Sequence, residues 1–438
     1  MLLEFSVANC YSYASTQKLS MIAAAGTEHE EHNVASIELA SQQAYRVLKS
    51  AIIYGANASG KSNLLKALKL MQTLVLASAN AQFDDPLGIT PFKLNEDLSH
   101  SPSEFEVDFI AEGVRYQYGF SADNSQIYDE WLYAYPKRQA QLWFMRVWDE
   151  RKQQHDWKYG ANFKGTKAIW QRSTRENALF LSTAIQLNNK QLQPVFYWFK
   201  NVLQFIGITA ISPFYTAEYI HKNPNNKPQA LRFIKRADLD IHDIIIDEAD
   251  FEEPLASNMP AELKKLILLN QTKEDKAFTI HTIRLTAQGK FVPFDFSEES
   301  AGTQKLFQLL APWMIALKEG LVLLVDELDN SLHTQLVELL IKQFHSPQTN
   351  AKNAQLIFTS QNTNHLNQRI FRRDQIWFCE RDYAHGTELY PLTDFTVRKE
   401  RENIEQAYLS GRYGGVPFIT ESQLWEESDE FKENSEAH

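Results

Sequence analysis

Short apolar runs, each closed abruptly, punctuate the chain and alternate with segments of helical spacing. Ala51-Ile52-Ile53-Tyr54 stops at Gly55, and Leu321-Val322-Leu323-Leu324-Val325 stops at Asp326-Glu327. Gln355-Leu356-Ile357-Phe358-Thr359 and Gln375-Ile376-Trp377-Phe378-Cys379 have the same character. Continuous apolar runs of this length predict strands buried on both faces. Between them, Leu64, Leu65, Leu68 and Met71 fall on one face of a helix over Lys61–Leu76. Lys305–Leu317 reads as a second helix, ended by Gly320, and Leu332–Phe344 as a third. Strands alternating with helices predict an α/β fold with a mainly parallel sheet.

Elsewhere the period changes. Leu2–Val7 alternates loosely, whereas Phe105–Ile110 and Tyr116–Phe120 alternate strictly, as antiparallel strands with one wet face do. From about Asn177 to Lys273 the pattern turns helical, with Leu263–Leu269 its clearest face and Lys222–Pro228 a polar, proline-punctuated loop. The expected division is 1–156 with the first strands and the glycine loop, 157–275 as an inserted, mainly helical lobe, and 276–418 with the acidic strand. The tail, 419–438, is acidic and expected to be mobile.

Gly55-Ala56-Asn57-Ala58-Ser59-Gly60-Lys61-Ser62 matches G-x-x-x-x-G-K-[ST] without a gap, between a predicted strand and a predicted helix. Such a loop turns successive backbone N–H groups towards one centre, and the following helix adds the positive end of its dipole. ATP with Mg²⁺ is the expected ligand. Lys61 is expected to reach the β- and γ-phosphates, and Ser62 to coordinate Mg²⁺ through its hydroxyl. Ligand sites in open α/β sheets lie at the carboxyl ends of strands. Asp326 there suits Mg²⁺, and Glu327 suits polarising the attacking water.

Composition narrows the class. Hydrophobic content of 44% and charged content of 23% describe an ordinary folded protein. The net charge of −11 argues against coating nucleic acid by bulk electrostatics. Two basic runs, Lys222-Lys227-Arg232-Lys235-Arg236 and Arg369-Arg372-Arg373, read as solvated surface. Cys10 and Cys379 give neither a disulfide framework nor a metal-ligand spacing, which suits a reducing cytosol. Neither a signal peptide nor a membrane-spanning run is present, so a cytoplasmic protein without membrane contact is expected. His29 and His32 read as a solvated loop rather than a metal site. Trp143, Trp148, Trp157 and Trp170 read as core in preference to base-stacking platforms.

Beyond spacing, several blocks resemble ABC-type ATPases, including the SMC and DNA-repair branch and the OLD-like branch. Ser300-Ala301-Gly302-Thr303-Gln304-Lys305 resembles their signature motif, Asp329–His333 the loop after their acidic strand, and Asn9–Tyr13 their opening. The similarity is strongest to a bacterial group of AAA/ABC-like ATP-binding proteins that includes RloA and abortive-infection ATPases. Its blocks appear in order as Ile53–Asn63, Glu299–Thr303, Asp326–His333, Arg372–Phe378 and Ala407–Gly414. The resemblance implies nucleotide contacts from Gly55, Asn57, Ala58, Ser59, Gly60, Lys61, Ser62 and Asn63. It also implies that Ser300 and Gly302 of one protomer close on the γ-phosphate held by another, in an ATP-sandwiched homodimer or higher homo-oligomer.

The family has a histidine after the strand Leu356–Thr359, where this chain has Gln361. Glutamine can hydrogen-bond a γ-phosphate or a water but cannot become a cation near neutral pH. Slow turnover, or a switch rather than a motor, is therefore expected. Gln82 is the candidate for a Q-loop glutamine. Arg412 in Gly411–Gly415 reads equally as a trans-acting arginine or part of a packing turn. Too few residues follow Gln361 for the nuclease domain of OLD-type relatives. The resemblance therefore implies a sensor or regulator of an anti-phage system with a separate effector, such as a Toprim-type nuclease. The rivals are an ATPase acting directly on DNA, and a nucleotide-gated scaffold.

Overall fold

The apolar runs assemble into one central sheet in a computed structural model. It describes residues 1–39, 41–207, 212–237, 239–249, 277–397 and 402–417. The sheet has six strands, in the order Leu203–Ile206, Val322–Val325, Gln355–Thr359, Ser50–Gly55, Ile376–Arg381 and Thr387–Pro391. The first five pair in parallel and the last turns back antiparallel. Alternate residues of single strands enter two different cores. Ala51 and Ile53 face one, with Val322, Leu324 and Ile357. Ile52 and Tyr54 face the other, with Leu323, Val325, Leu356 and Phe358. Being buried on both faces is why these strands read as unbroken apolar runs.

The first core is closed by the helix Lys61–Ala77 and by a seven-stranded antiparallel sheet. That sheet runs Gln154–Tyr159, Gln141–Asp149, Ile127–Tyr135, Val114–Ala122, Ser103–Ala111, Leu2–Ala8 and Gln17–Ser20. The strictly alternating segments lie within it, as their period predicts. The second core lies under the helices Ala301–Glu319 and Thr334–His345.

The expected inserted lobe is drawn differently by the topology. Its boundary at 157 falls inside the strand Gln154–Tyr159, and Leu203–Ile206, within the lobe, forms an edge of the central sheet. Trp198 and Phe199 are buried in the first core. At the other boundary, a three-stranded sheet of Asp243–Ala249, Ala277–Leu285 and Phe291–Asp295 crosses position 275. A four-residue strand flanked by helix carries too little pattern to announce itself. The polar loop shrinks to Asn223–Asn225, because Pro228 sits in the first turn of the helix Asn226–Arg236, where its missing N–H costs no bond. The face at Leu263–Leu269 and the acidic tail lie outside the described residues.

Candidate nucleotide site

The strand Ser50–Gly55 is apolar from Ala51 through Tyr54 and ends at Gly55, against which the carbonyl of Cys379 and the hydroxyl of Ser59 press too closely for any Cβ. At the far end Gly60, at φ 106°, caps the helix Lys61–Ala77 while Thr387 and Ser12 crowd its Cα. Only glycine fits either position. Three successive carbonyls, from Ala58 to Gly60, are bound from outside the loop. Arg381 Nε donates to Ala58 O (2.9 Å), Thr387 Oγ1 to Ser59 O (2.9 Å) and the Tyr13 hydroxyl to Gly60 O (3.1 Å). Bonds to these three carbonyls fix the loop ahead of the helix N-terminus, where an anion is expected.

Lys61 lies across this loop, donating to the carbonyls of Gly55 (2.7 Å) and Ala56 (2.9 Å). Burial holds its ammonium below the ordinary lysine range, while Cys379, Glu327, Asp326 and Asp329 pull it back up. Asn63 donates to Ser12 Oγ at 2.9 Å, which ties the helix to the N-terminal segment. The Ser59 hydroxyl is buried without a partner.

Ser62 Oγ donates to Asp326 Oδ1 at 3.0 Å. The sheet therefore brings the two residues expected to hold Mg²⁺ together from positions 264 residues apart. A hydroxyl and a carboxylate are the hard oxygen donors this ion takes, and its other ligands come from water and phosphate rather than a protein cage. Among the described residues no group of three or more His, Cys, Asp or Glu forms such a cage. The residues present fit Mg²⁺.

Glu327 follows in the left-handed region, φ 50°. Its side chain is exposed, and Gln361 Nε2 donates to its Oε1 at 3.2 Å. Asp329 Oδ2 accepts from the backbone N–H of Gln361 (3.1 Å) and of Asn362 (3.0 Å). The substituted position thus stands beside the carboxylate expected to polarise water.

Ser300 and Gly302 sit apart from this cluster. Ser300 caps the helix Ala301–Glu319 by accepting from the Thr303 N–H, and Gly302 rests against the Ser331 carbonyl, where a Cβ would stand 2.9 Å away. Among the described residues no hydrogen bond links either to the glycine loop. Among the described residues the Asn57 side chain has no hydrogen-bond partner. Gln82 donates its backbone N–H to Asp85 and accepts from Asn177, with no tie to the site.

The other candidates resolve into structure. Arg412 pairs with Glu402, and Gly415 packs against Gly55 and the Cys379 carbonyl, so the glycine-rich turn is a wall of the loop. Arg372 is 2% exposed and bound to Asp374, so it is not the solvated surface charge expected, and Lys227 pairs with Asp243. Trp143 and Trp170 are buried, and Trp157 packs on Phe180. His29 hydrogen-bonds the Gln368 carbonyl. Sequence reasoning missed Thr359, Thr387 and Arg381 altogether. Thr359 and Arg381 are the last residues of their strands and Thr387 the first of its own, and polar side chains at those positions were the available signal.

A parallel sheet with a glycine loop leading into a helix, and an acidic strand delivering Asp326 to the first helical turn, defines a P-loop ATPase. The chain belongs to the family described as "AAA domain, putative AbiEii toxin, Type IV TA system", whose model matches residues 50–367. Solved structures similar to it include two SMC heads. The SMC head domain from Thermotoga maritima has 11% identity and a TM-score of 0.40, covering 90% of this chain and 99% of that one. The SMC head bound to the C-winged helix domain of ScpA has 11% identity and a TM-score of 0.39, covering 91% and 98%. A comparison with curated proteins finds no match. No helix among the described residues is long and apolar enough to cross a membrane.

Proposed function

We propose that this chain hydrolyses ATP between two protomers and acts as the sensor or regulator of a bacterial anti-phage system, controlling a separate effector. The observation that carries the hydrolytic part is the cluster Ser62, Asp326, Thr359, Glu327 and Gln361 beside the glycine loop. Lys61 and the loop bind the phosphates, Ser62 and Asp326 hold Mg²⁺, and Glu327 orients water with Gln361 against it. Magnesium, when bound, offsets phosphate charge. Glu327 and Gln361 are both exposed, which leaves the γ-phosphate side open for Ser300 and Gly302 of a second copy. The family description, which names a putative AbiEii toxin and a type IV TA system, supports a role in a two-part system, and the separate effector, such as a nuclease, is part of this proposal.

Phosphate release by the purified chain is expected to fall to background in Lys61→Ala. Glu327→Gln is expected to bind ATP, release phosphate at least about a hundredfold more slowly, and gain mass with ATP by light scattering. Constant mass with and without ATP defeats the two-protomer site. Protection of cells from phage that survives Lys61→Ala defeats the nucleotide-gated defence role.

A further inference from the structure

The glycine-loop strand Ser50–Gly55 and the acidic strand Val322–Val325 are not neighbours. Gln355–Thr359 runs between them, parallel to both. Two strand spacings separate their backbones by about 10 Å, so Ser62 and Asp326 meet across the end of the middle strand. That end is Thr359. Its hydroxyl donates to Asp326 Oδ1 at 2.7 Å and accepts from the Glu327 N–H at 2.8 Å. Its carbonyl accepts from the Leu328 N–H at 3.2 Å. The residue is fully buried, so no water stands ready to replace these bonds.

The preceding residues, Leu356, Ile357 and Phe358, are all apolar and buried. Valine would fill the same volume as Thr359, so packing alone does not call for a hydroxyl. What the hydroxyl adds is a splice. One atom fixes the rotation of the Asp326 carboxylate beside Ser62 and pins the backbone of Glu327 in its left-handed turn. Two residues on, the same strand end delivers Gln361 to the Glu327 carboxylate.

We propose that Thr359 is a positioning residue that sets both site carboxylates in register with Ser62, coupling magnesium to hydrolysis. This rests on the ATPase reading. The phosphate contacts of Lys61 and the loop do not run through Thr359, so losing the hydroxyl separates the grip on the nucleotide from the contribution of the metal.

The test uses the full chain as wild type, Thr359→Val, Thr359→Ser and Lys61→Ala. A non-hydrolysable ATP analogue is titrated calorimetrically in Mg²⁺ and in EDTA, and single-turnover phosphate release is followed against Mg²⁺ concentration. In EDTA the valine chain is expected to bind within about twofold of wild type, and in Mg²⁺ to lose about 10- to 100-fold in affinity, as for other groups that orient a metal ligand. Its half-maximal release shifts to higher Mg²⁺, and Thr359→Ser restores both. Should the valine chain not fold, Thr359→Ala leaves the same bonds unmade and is measured alike. An unchanged Mg²⁺ dependence, an equal loss in EDTA and Mg²⁺, or a serine chain that is folded yet fails like valine overturns the proposal. A wild-type chain that binds no nucleotide and matches Lys61→Ala overturns the ATPase reading, and this proposal with it.

Discussion

At Glu327 a charged side chain occupies backbone space that usually belongs to glycine, at a cost of about 1–2 kcal/mol. The Thr359 hydroxyl and the Leu328 N–H bond to the Thr359 carbonyl hold it there. Its carboxylate then meets an amide at Gln361, which donates a hydrogen bond but brings no charge. An imidazole there can carry a proton near neutral pH and shift it during the reaction. Gln361→His is therefore expected to raise single-turnover hydrolysis by about tenfold or more. A rate equal to wild type in rapid-quench measurements counts against Gln361 limiting turnover. Lys61, Ser62, Asp326 and Glu327 could be named as candidates from sequence because each belongs to a short motif. Thr359 was not, because its importance comes from lying between two segments that only the sheet order brings together.

Among the elements, the central sheet has two unlike ends. Its carboxyl end carries the site, and its amino end carries a buried polar network. Ser50 Oγ lies 2.8 Å from His345 Nε2, and Gln375 Nε2 donates to the same Ser50 oxygen at 2.8 Å. Gln355 binds the backbone N–H and carbonyl of Leu2, which joins the two large sheets. Ser50 can donate to His345 only while the imidazole is neutral, and burial first, then Lys49, His29 and His32, pushes its pKa down to about 3. The unfolded chain takes up that proton near pH 6.5. Stability therefore declines as pH falls below about 6.5, by at most about 1.4 kcal/mol per pH unit from this one group. Urea midpoints at pH 7 and pH 5 should differ less in His345→Asn than in wild type. An equal difference refutes the assignment.

A second element-scale prediction concerns the antiparallel sheet. Glu130 and Arg146, on neighbouring strands, are fully buried and 2.9 Å apart. Glu130 also accepts from the Phe180 and Leu181 N–H groups, fixing the start of the helix Phe180–Gln186. Arg146→Met strands a buried carboxylate and is expected to cost about 3–5 kcal/mol in denaturant unfolding. A loss below 1 kcal/mol, on the order of a surface pair, would mean water reaches Glu130. Neither residue stood out in the sequence, since a charge on an alternating strand ordinarily reads as its wet face.

For the whole molecule, the parallel sheet and the antiparallel segments were readable because their periods differ and each runs for several residues. The boundaries of the expected helical lobe were not, because Leu203–Ile206 enters the sheet only by pairing with Val322–Val325, far along the chain. The glycine loop shows the same dependence most sharply. Its sequence is complete within eight residues, yet Arg381, which holds its Ala58 carbonyl, follows 323 residues later. On a ribosome adding about 5–20 residues per second, the loop waits roughly 16–65 s for that wall to be made. The nascent chain thus carries the recognition motif long before it owns the finished cradle. Vectorial synthesis itself delays a working nucleotide site until the last strands have been translated.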